Sequence, residues 1–599
     1  MKVQQETWEW MQTLSADFVP FYWRDMQAAI ADVGIGNNWF ALSHVRGCDP
    51  QPLSLDHYCT TTPYSARQVF VDRLEGLAQL ELLERVGESA YRLTDLGRRA
   101  VESIFAPAHA GLDTVTALSA AEGQRLADLL LRIVTATMEA PDPASKWAME
   151  CSRWTDPGVG ASFAARIDQY ITDLYHYRDD AHLAAWQPYD VSGHAWEIFT
   201  FIWRDTVATA AEMAERMAQY RGHTTADYQA ALDDLAGRGW VVERDGRYEL
   251  TDAGRRLRED AEAATDRHFF AGWGTLDDDE LLELRDLLAA AHVSLQREAQ
   301  RKTWAVVQAL AAAVPAAVRD EIGTLFDTYG LNEPRWSYGM LLAAASAAPN
   351  PISASTLSVT GVYTRPAHFS QMLADVAAAG FLEAVAEGQY TFTEKGRSTL
   401  HELHDAFYAG LGRASTLPAE DLAQAEALMG QIVAASLSAT EPEAKPALTA
   451  THRRHPQGDY PPLARIDNRL DDLHAFRDDA HIAAWQPSGV SGHAWEALTF
   501  LWRDAAHTAA DLVEKLPYRN YAADDYEAAL QDLVSRGWVT TEAGGYRVTE
   551  KGQALRQQAE DETDRLFFAP WECLHGFELG QLYAILARLL DDIRPEAAT

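Results

Sequence analysis

The chain is short of basic residues. Its 599 residues hold 51 Lys and Arg against 88 Asp and Glu, a formal net charge of −37 at pH 7, with a pI near 4.8. Binding through phosphate neutralisation needs a basic footprint, so this balance argues against general affinity for nucleic acid and leaves a local basic face to supply it. Cysteine is equally scarce. Cys48, Cys59, Cys151 and Cys573 lack the paired spacing of zinc or disulfide frameworks, and a reducing cytoplasm is the simplest compartment. Long apolar runs are missing: the Ala-rich stretch 309–318 is interrupted by Pro315 and flanking charge, well short of the ~18 residues a membrane span requires. The first 23 residues have no basic start followed by an apolar run, so no secretory signal is expected. No phosphate-cradling glycine loop, Rossmann fingerprint or Ser/His/Asp order occurs, and no cofactor is expected.

What is present is repetition. The pattern Tyr, any, apolar, Thr, acidic, any, Gly occurs four times, with Thr and Gly at Thr94 and Gly97, Thr251 and Gly254, Thr393 and Gly396, Thr549 and Gly552. It reads as a strand ending on a Thr that caps the next helix, with an acid in the first turn favoured by the helix dipole. Turn signals precede it, clearest at Asp245-Gly246 and Gly544-Gly545, and before each turn lies an amphipathic helix, as in 228–238. Helix, two-stranded wing, helix is the order of a winged helix-turn-helix.

The intervals between the four threonines alternate long, short, long, which makes an A-B-A-B chain. Residues 178–205 and 477–504 match at 22 of 28 positions, in a register of 299 residues. A two-domain unit has been duplicated and fused. The expected divisions are domain A1 at 1–140 with its N-terminal helices, a Pro-rich linker at 141–165, B1 at 166–299, A2 at 300–440, a second linker at 441–463, and B2 at 464–599. Trp147 and Trp154 in the first linker suggest that it packs against something.

The stretch Arg178-Asp-Asp-Ala-His182-Leu-Ala-Ala-Trp186, followed by Ser192-Gly193, a helix ending near Trp203, Gly239-Trp240, the Thr251/Gly254 wing and Thr265-Asp266-Arg267, resembles the SalK-like helix-turn-helix family. That family is similar in turn to the winged-helix fold of MarR-type regulators. The likeness covers each half nearly end to end, as two members fused head to tail. It implies a regulator-type fold and supplies no reaction. The fusion and the segment His194-Ala-Trp-Glu197 depart from the pattern.

Several residues carry chemistry. Arg178 and His182 share a helix face as i and i+4 neighbours, and so do their twins Arg477 and His481. They form either an ion-pair cluster fixing B against A, or the polar wall of a ligand pocket in which arginine holds an acidic or carbonyl group and histidine donates a hydrogen bond. The candidate ligand set is Arg178, Asp179, His182, Trp186, His194, Trp196 and Glu197, with Arg477, Asp478, His481, Trp485, His493, Trp495 and Glu496. His182, His194 and Glu197 can also be drawn as a two-His, one-carboxylate metal site, since His194 and Glu197 stand i and i+3 on one helix; no metal is the expectation. An enzyme would have to use His182 and His481 as acid and base. The aromatic stripe Trp196, Phe199, Trp203 has the spacing of a buried face, while the abundance of Trp suits an apolar cavity.

For DNA, the helix at 524–536 sets Asp524, Asp525, Glu527 and Asp532 against Arg536 alone, and its counterpart sets Asp227, Asp233 and Asp234 against Arg238. Those helices repel a duplex. The A domains offer Arg67, Arg73, Arg92, Arg98 and Arg365 instead.

The expected fold is therefore mainly α with small β wings, four winged helix-turn-helix domains in an A-B-A-B tandem duplication, as a monomer with an internal pseudo-dimer or as a homodimer. The expected partner is an apolar or aromatic small molecule held between A and B domains; a DNA-binding repressor and a small-molecule enzyme are the alternatives, and no membrane partner is expected.

Overall fold

The threonine motif closes its helices as its spacing requires. Thr94, Thr251, Thr393 and Thr549 each accept the backbone N–H of the glycine three residues on, at 3.0–3.2 Å. The glycine has a second reason. A Cβ on Gly97, Gly254, Gly396 or Gly552 would stand 2.0–2.1 Å from the carbonyl oxygen of Leu82, Trp240, Phe381 or Trp538, just ahead of or at the start of the hairpin. Helix start and hairpin thus touch backbone to backbone, which only glycine permits.

This computed structural model describes residues 2–331, 336–456 and 458–593. The chain forms two compact units, Met1–Ala299 and Gln300–Thr599. It is mainly helical with small antiparallel sheets. In the first unit the long helix Lys2–Val33 is followed by Trp39–Cys48, Leu55–Thr61 and Arg67–Gln79, then a hairpin of Leu83–Val86 and Ala90–Leu93, then Asp95–Leu112 and Ala120–Glu139. The short strand Leu53–Ser54 adds a third member to that hairpin, pairing with Ala90 and Tyr91. A second series follows: Phe163–Trp186, Gly193–Trp203, Ala210–Met217 and Thr225–Gly237, the hairpin Val241–Arg244 with Arg247–Leu250, and Asp252–Phe270. Here the third strand shrinks to one bond, Tyr248 N–H to Ala208 O at 2.8 Å. The Asp245-Gly246 turn has φ of 52° and 78°, both left-handed, the geometry of a tight hairpin that follows strand twist.

The second unit repeats the order. Its counterparts to the pieces that matter below are Ser337–Ala347, Ala354–Thr360, Pro446–Arg454 and Pro462–Trp485. Each unit has an N-terminal core, around Leu42, Tyr58, Leu74 and Ile104 in the first and Leu341, Leu373 and Leu403 in the second. Each has a C-terminal core too, around Trp196, Phe199 and Leu232 or Trp495, Leu498 and Leu530. Trp196 and Phe199 are fully buried as their spacing predicts, whereas Trp203 is half-buried beneath the Arg258 guanidinium at 4.8 Å.

The two stretches read as linkers are not loose chain. Each contains a helix, Trp147–Ser152 or Pro446–Arg454, docked on the helix that carries the Arg-Asp-Asp-Ala-His motif. The cause is a buried carboxylate. Asp180 accepts the N–H groups of Ala148 and Met149 at 3.0 Å, and Asp479 those of Ala447 and Leu448 at 3.0 and 2.8 Å. These N–H groups have no partner within their own first turn, so the motif supplies the cap from another helix. Among the described residues no helix is long and apolar enough to cross a membrane.

Candidate functional site

The motif helix Phe163–Trp186 distributes its polar residues in two directions. Toward Asp252–Phe270, Arg178 pairs with Asp266 at 3.0 Å and lies over the rings of Phe269 (5.0 Å) and Trp8 (5.9 Å). His182 follows one turn on. The Trp196 indole N–H can only donate, and it meets His182 Nε2 at 3.2 Å; Nδ1 therefore carries the proton, facing the Thr265 hydroxyl at 3.3 Å. Both nitrogens are used in the neutral ring. Burial first and the Arg258 charge second hold His182 down to about 4. The second unit repeats every contact: Arg477 with Asp564 at 3.0 Å, His481 with Thr563 at 3.1 Å and with Trp495 at 3.3 Å.

Trp186 stacks on Trp196 (5.4 Å, 9°) and donates to the Tyr64 hydroxyl at 3.2 Å; Trp485 does the same with Trp495 (5.6 Å, 10°) and Tyr363 (2.8 Å). Glu197 pairs with Arg221 and Glu496 with Arg519, both at 2.9 Å, and these arginines lie over Tyr64 and Tyr363. His194 packs on the ring of His223, and His493 stacks on Tyr521, each at 4.3 Å. Apart from Asp179 and Asp478, the candidate ligand set is thus a polar and aromatic ladder engaged with its own members and with neighbouring side chains. His182, His194 and Glu197 face three different partners and do not converge, and no cluster of three or more His, Cys, Asp and Glu residues suited to a metal ion occurs among the described residues. Acid/base work by His182 or His481 meets the same obstacle, since neither ring nitrogen faces an open space.

The second direction is more open. Asp168, Thr172, His176 and Asp179 recur along the face of the motif helix that is turned toward the N-terminal core; in the other unit Asp467, Asp471 and Asp478 take three of these places, Ala475 stands at that of His176, and His474 stands one residue earlier. In the second unit this face borders a wide cavity of about 1130 Å³, walled by Ser337–Ala347, Ala354–Thr360 and Pro446–Arg454, with Asp478 and His474 on its rim. In the first unit the equivalent space is filled: Trp147 stacks on His44 (5.5 Å) and meets His57 edge-on (4.9 Å), and His44 packs on Tyr58 (5.1 Å). At the positions 299 residues later stand Pro446, Ala343, Thr356 and Leu357. Four smaller side chains open what four larger ones close.

A neighbouring cavity exists in both units. In the first it measures about 290 Å³, walled by Trp23, Trp39, Phe105, Trp154, His176 and Asp168. In the second it measures about 520 Å³, with Ile322, Tyr338, Phe407, Arg454 and Asp467 among its walls. Burial pushes both carboxyls, Asp168 and Asp467, up to about 7. It pulls His176 down to about 4, with the charge of His44 adding to the effect. The sequence reading missed Asp168, His176 and Asp467. The available signal was a stripe of polar residues at helical spacing on a helix otherwise too apolar to face water.

Four of the five arginines offered for DNA are already in ion pairs. Arg67 meets Asp56 at 2.7 Å, Arg98 meets Asp49 at 2.7 Å and Asp95 at 2.9 Å, Arg92 meets Glu84, and Arg365 meets Asp525 at 3.5 Å. Arg73 is half-buried beside Tyr58. In the acidic helices Asp227 and Asp525 cap their own first turns, and Asp234 and Asp532 pair with Arg238 and Arg536.

A model described as a helix-turn-helix family matches residues 98–301 and again residues 300–599. The chain belongs to this helix-turn-helix family, and it carries two copies. No curated protein and no solved structure matches it.

Proposed function

We propose that the chain is a winged-helix regulator of the SalK-like and MarR-like kind, built as four domains in A-B-A-B order, that binds a small apolar or aromatic molecule between the A and B domains of each half. The observation that carries this reading is a cavity recurring at the same place in both units, walled by the N-terminal core on one side and the motif helix on the other. Apolar walls with a few polar groups are the usual make-up of such sites. The residues that serve the ligand are then the stripe from Asp168 to Asp179 and its twin, while Arg178, His182, Trp186, Trp196 and Glu197 hold that stripe in place. Ligand entry between the two cores would shift one against the other, the movement a regulator transmits.

A panel of small aromatic and apolar compounds, read by tryptophan fluorescence and melting temperature, tests this. Saturable responses that disappear when Ser43→Trp fills the first cavity and Leu342→Trp fills its counterpart in the second unit support the reading. Silence across the panel sinks it. DNA contact through the N-terminal domains is the second reading; family membership favours it and the paired arginines weigh against it.

A further inference from the structure

The carboxyl of Asp168 is half-buried on the wall of an aromatic cavity, and among the described residues nothing hydrogen-bonds to it or pairs with it. Its neighbours make this unusual. Asp173, one turn on, is held by Ser152, Arg153 and Gln169, and Asp180 by two backbone N–H groups. The counterpart of Asp168 in the second unit, Asp467, has a cation within its field. Arg454 lines the same cavity and pairs with Asp471 at 2.7 Å; on the Asp467 carboxyl burial and then the Asp471 charge act upward, and Arg454 opposes them. At the two positions corresponding to Arg454 and Asp471 the first unit has Thr155 and Thr172, and both line the cavity. One half of the chain sets an Arg–Asp ion pair on the cavity wall where the other half has two threonines.

The remaining walls agree. His44, His109 and His176 border the space, and burial holds all three below the usual histidine range, so at neutral pH none is a cation for Asp168. Trp23, Trp39, Phe105 and Trp154 present aromatic surface, and Trp154 already takes a guanidinium at 5.5 Å, that of Arg46, which is not part of the cavity wall and pairs with Asp49. A carboxyl withdrawn from water and without a partner ionises readily only beside a positive charge, and a ring face attracts such a charge, so the group that satisfies both is a cation with an apolar body.

We infer that the cavity of the first unit takes a small aromatic organic cation, with Asp168 as its counter-charge and the Trp and Phe rings around its body, and that the corresponding cavity of the second unit, which holds Arg454, does not. This specifies the ligand class of the site proposed above and rests on that reading.

The test compares benzyltrimethylammonium with neopentylbenzene, which has the same shape without the charge, by titration of tryptophan fluorescence in the full chain. The expected result is binding of the cation at least about tenfold tighter than of the neutral compound. Asp168→Asn, which keeps the shape of the side chain, should erase the preference and leave neopentylbenzene binding as before. Thr155→Arg, which installs the guanidinium of the other unit, should erase it too. Equal affinity for the two compounds, or a preference that survives Asp168→Asn with both variants folded, overturns the inference while leaving an apolar pocket. Binding of neither compound overturns the inference and removes the support for the pocket itself.

Discussion

Asp180 and Met149 lie on different helices, and a single 3.0 Å bond from the Met149 N–H to the Asp180 carboxylate, doubled by the neighbouring N–H of Ala148, fixes one helix to the other. The second acid of the Arg-Asp-Asp-Ala-His motif is therefore a cap delivered across space. Burial raises Asp180 to about 7 even though the two N–H groups favour the ionised form, so the carboxylate has little to spare. Asp180→Ala strands two buried N–H groups and should cost about 2–3 kcal/mol, with Asp180→Asn intermediate because one acceptor remains. Urea unfolding followed by tryptophan fluorescence measures this. An Ala variant as stable as the parent would show that water replaces the cap and that the helix Trp147–Ser152 is held by Trp147 and Met149 alone.

His182 yields a prediction about acid. In the folded chain it titrates near 4, below its ordinary 6.5, because it is buried and faces Arg258, with Arg178 and Arg204 adding to the effect and Glu262 opposing it. Between those values the unfolded chain binds the proton and the folded chain does not, so stability falls as pH drops from about 6.5 toward 4. His481 adds a second group of the same sign. Asp168 and Asp180, raised to about 7, act oppositely, gaining stability as pH falls over the same range. The His182 contribution is isolated by difference. His182→Gln, which still accepts from Trp196, should be less stable than the parent at pH 7 and close that gap by at most about 1.4 kcal/mol per pH unit on acidification. A gap that stays constant from pH 7 to 4.5 would mean that His182 keeps its ordinary titration.

Gly254 tests the motif that organises the chain. Its Cβ position lies 2.0 Å from the Trp240 carbonyl oxygen, so Gly254→Ala should displace the hairpin from the helix and lower stability by roughly 1–3 kcal/mol, whereas Gly237→Ala, with open space around it, should be close to neutral. Thermal unfolding of the two variants side by side is sufficient. This feature was half legible in the sequence: the Thr cap and the acid in the first turn follow from local chemistry, and repetition at four places made the reading firm. The reason for the glycine was hidden, because it depends on a carbonyl fourteen residues earlier that only the folded hairpin brings close.

The candidate site divides the same way. The motif at Arg178 is nearly identical in both halves, and its contacts recur with it, Arg178 to Asp266 and Thr265 through His182 to Trp196. The cavities lie where the halves differ, at His44 against Ala343 and Trp147 against Pro446. Volume is a property of facing elements, so a single helix read alone shows its polar stripe but not the space beyond it.

DNA affinity can be predicted from the ion pairs rather than from the net charge. To neutralise a phosphate, Arg67 must leave Asp56, Arg92 must leave Glu84, and Arg98 must leave Asp49 and Asp95. The first two pairs are exposed on both sides and exchange readily, while Asp49 is mostly covered and held below the usual carboxylate range by Arg98, so that pair persists. The informative substitutions are therefore in the acids. Asp56→Asn with Glu84→Gln frees two arginines and should raise affinity for duplex DNA, steepening the dependence of log affinity on log salt by up to about 0.9 per phosphate gained. The parent should show weak, sequence-independent retardation that vanishes at moderate salt. If the parent instead captures one duplex sequence at moderate salt, and Arg67→Glu abolishes this without unfolding the chain, then the pairs open on contact and the N-terminal cores are DNA readers despite the acidic surface around them.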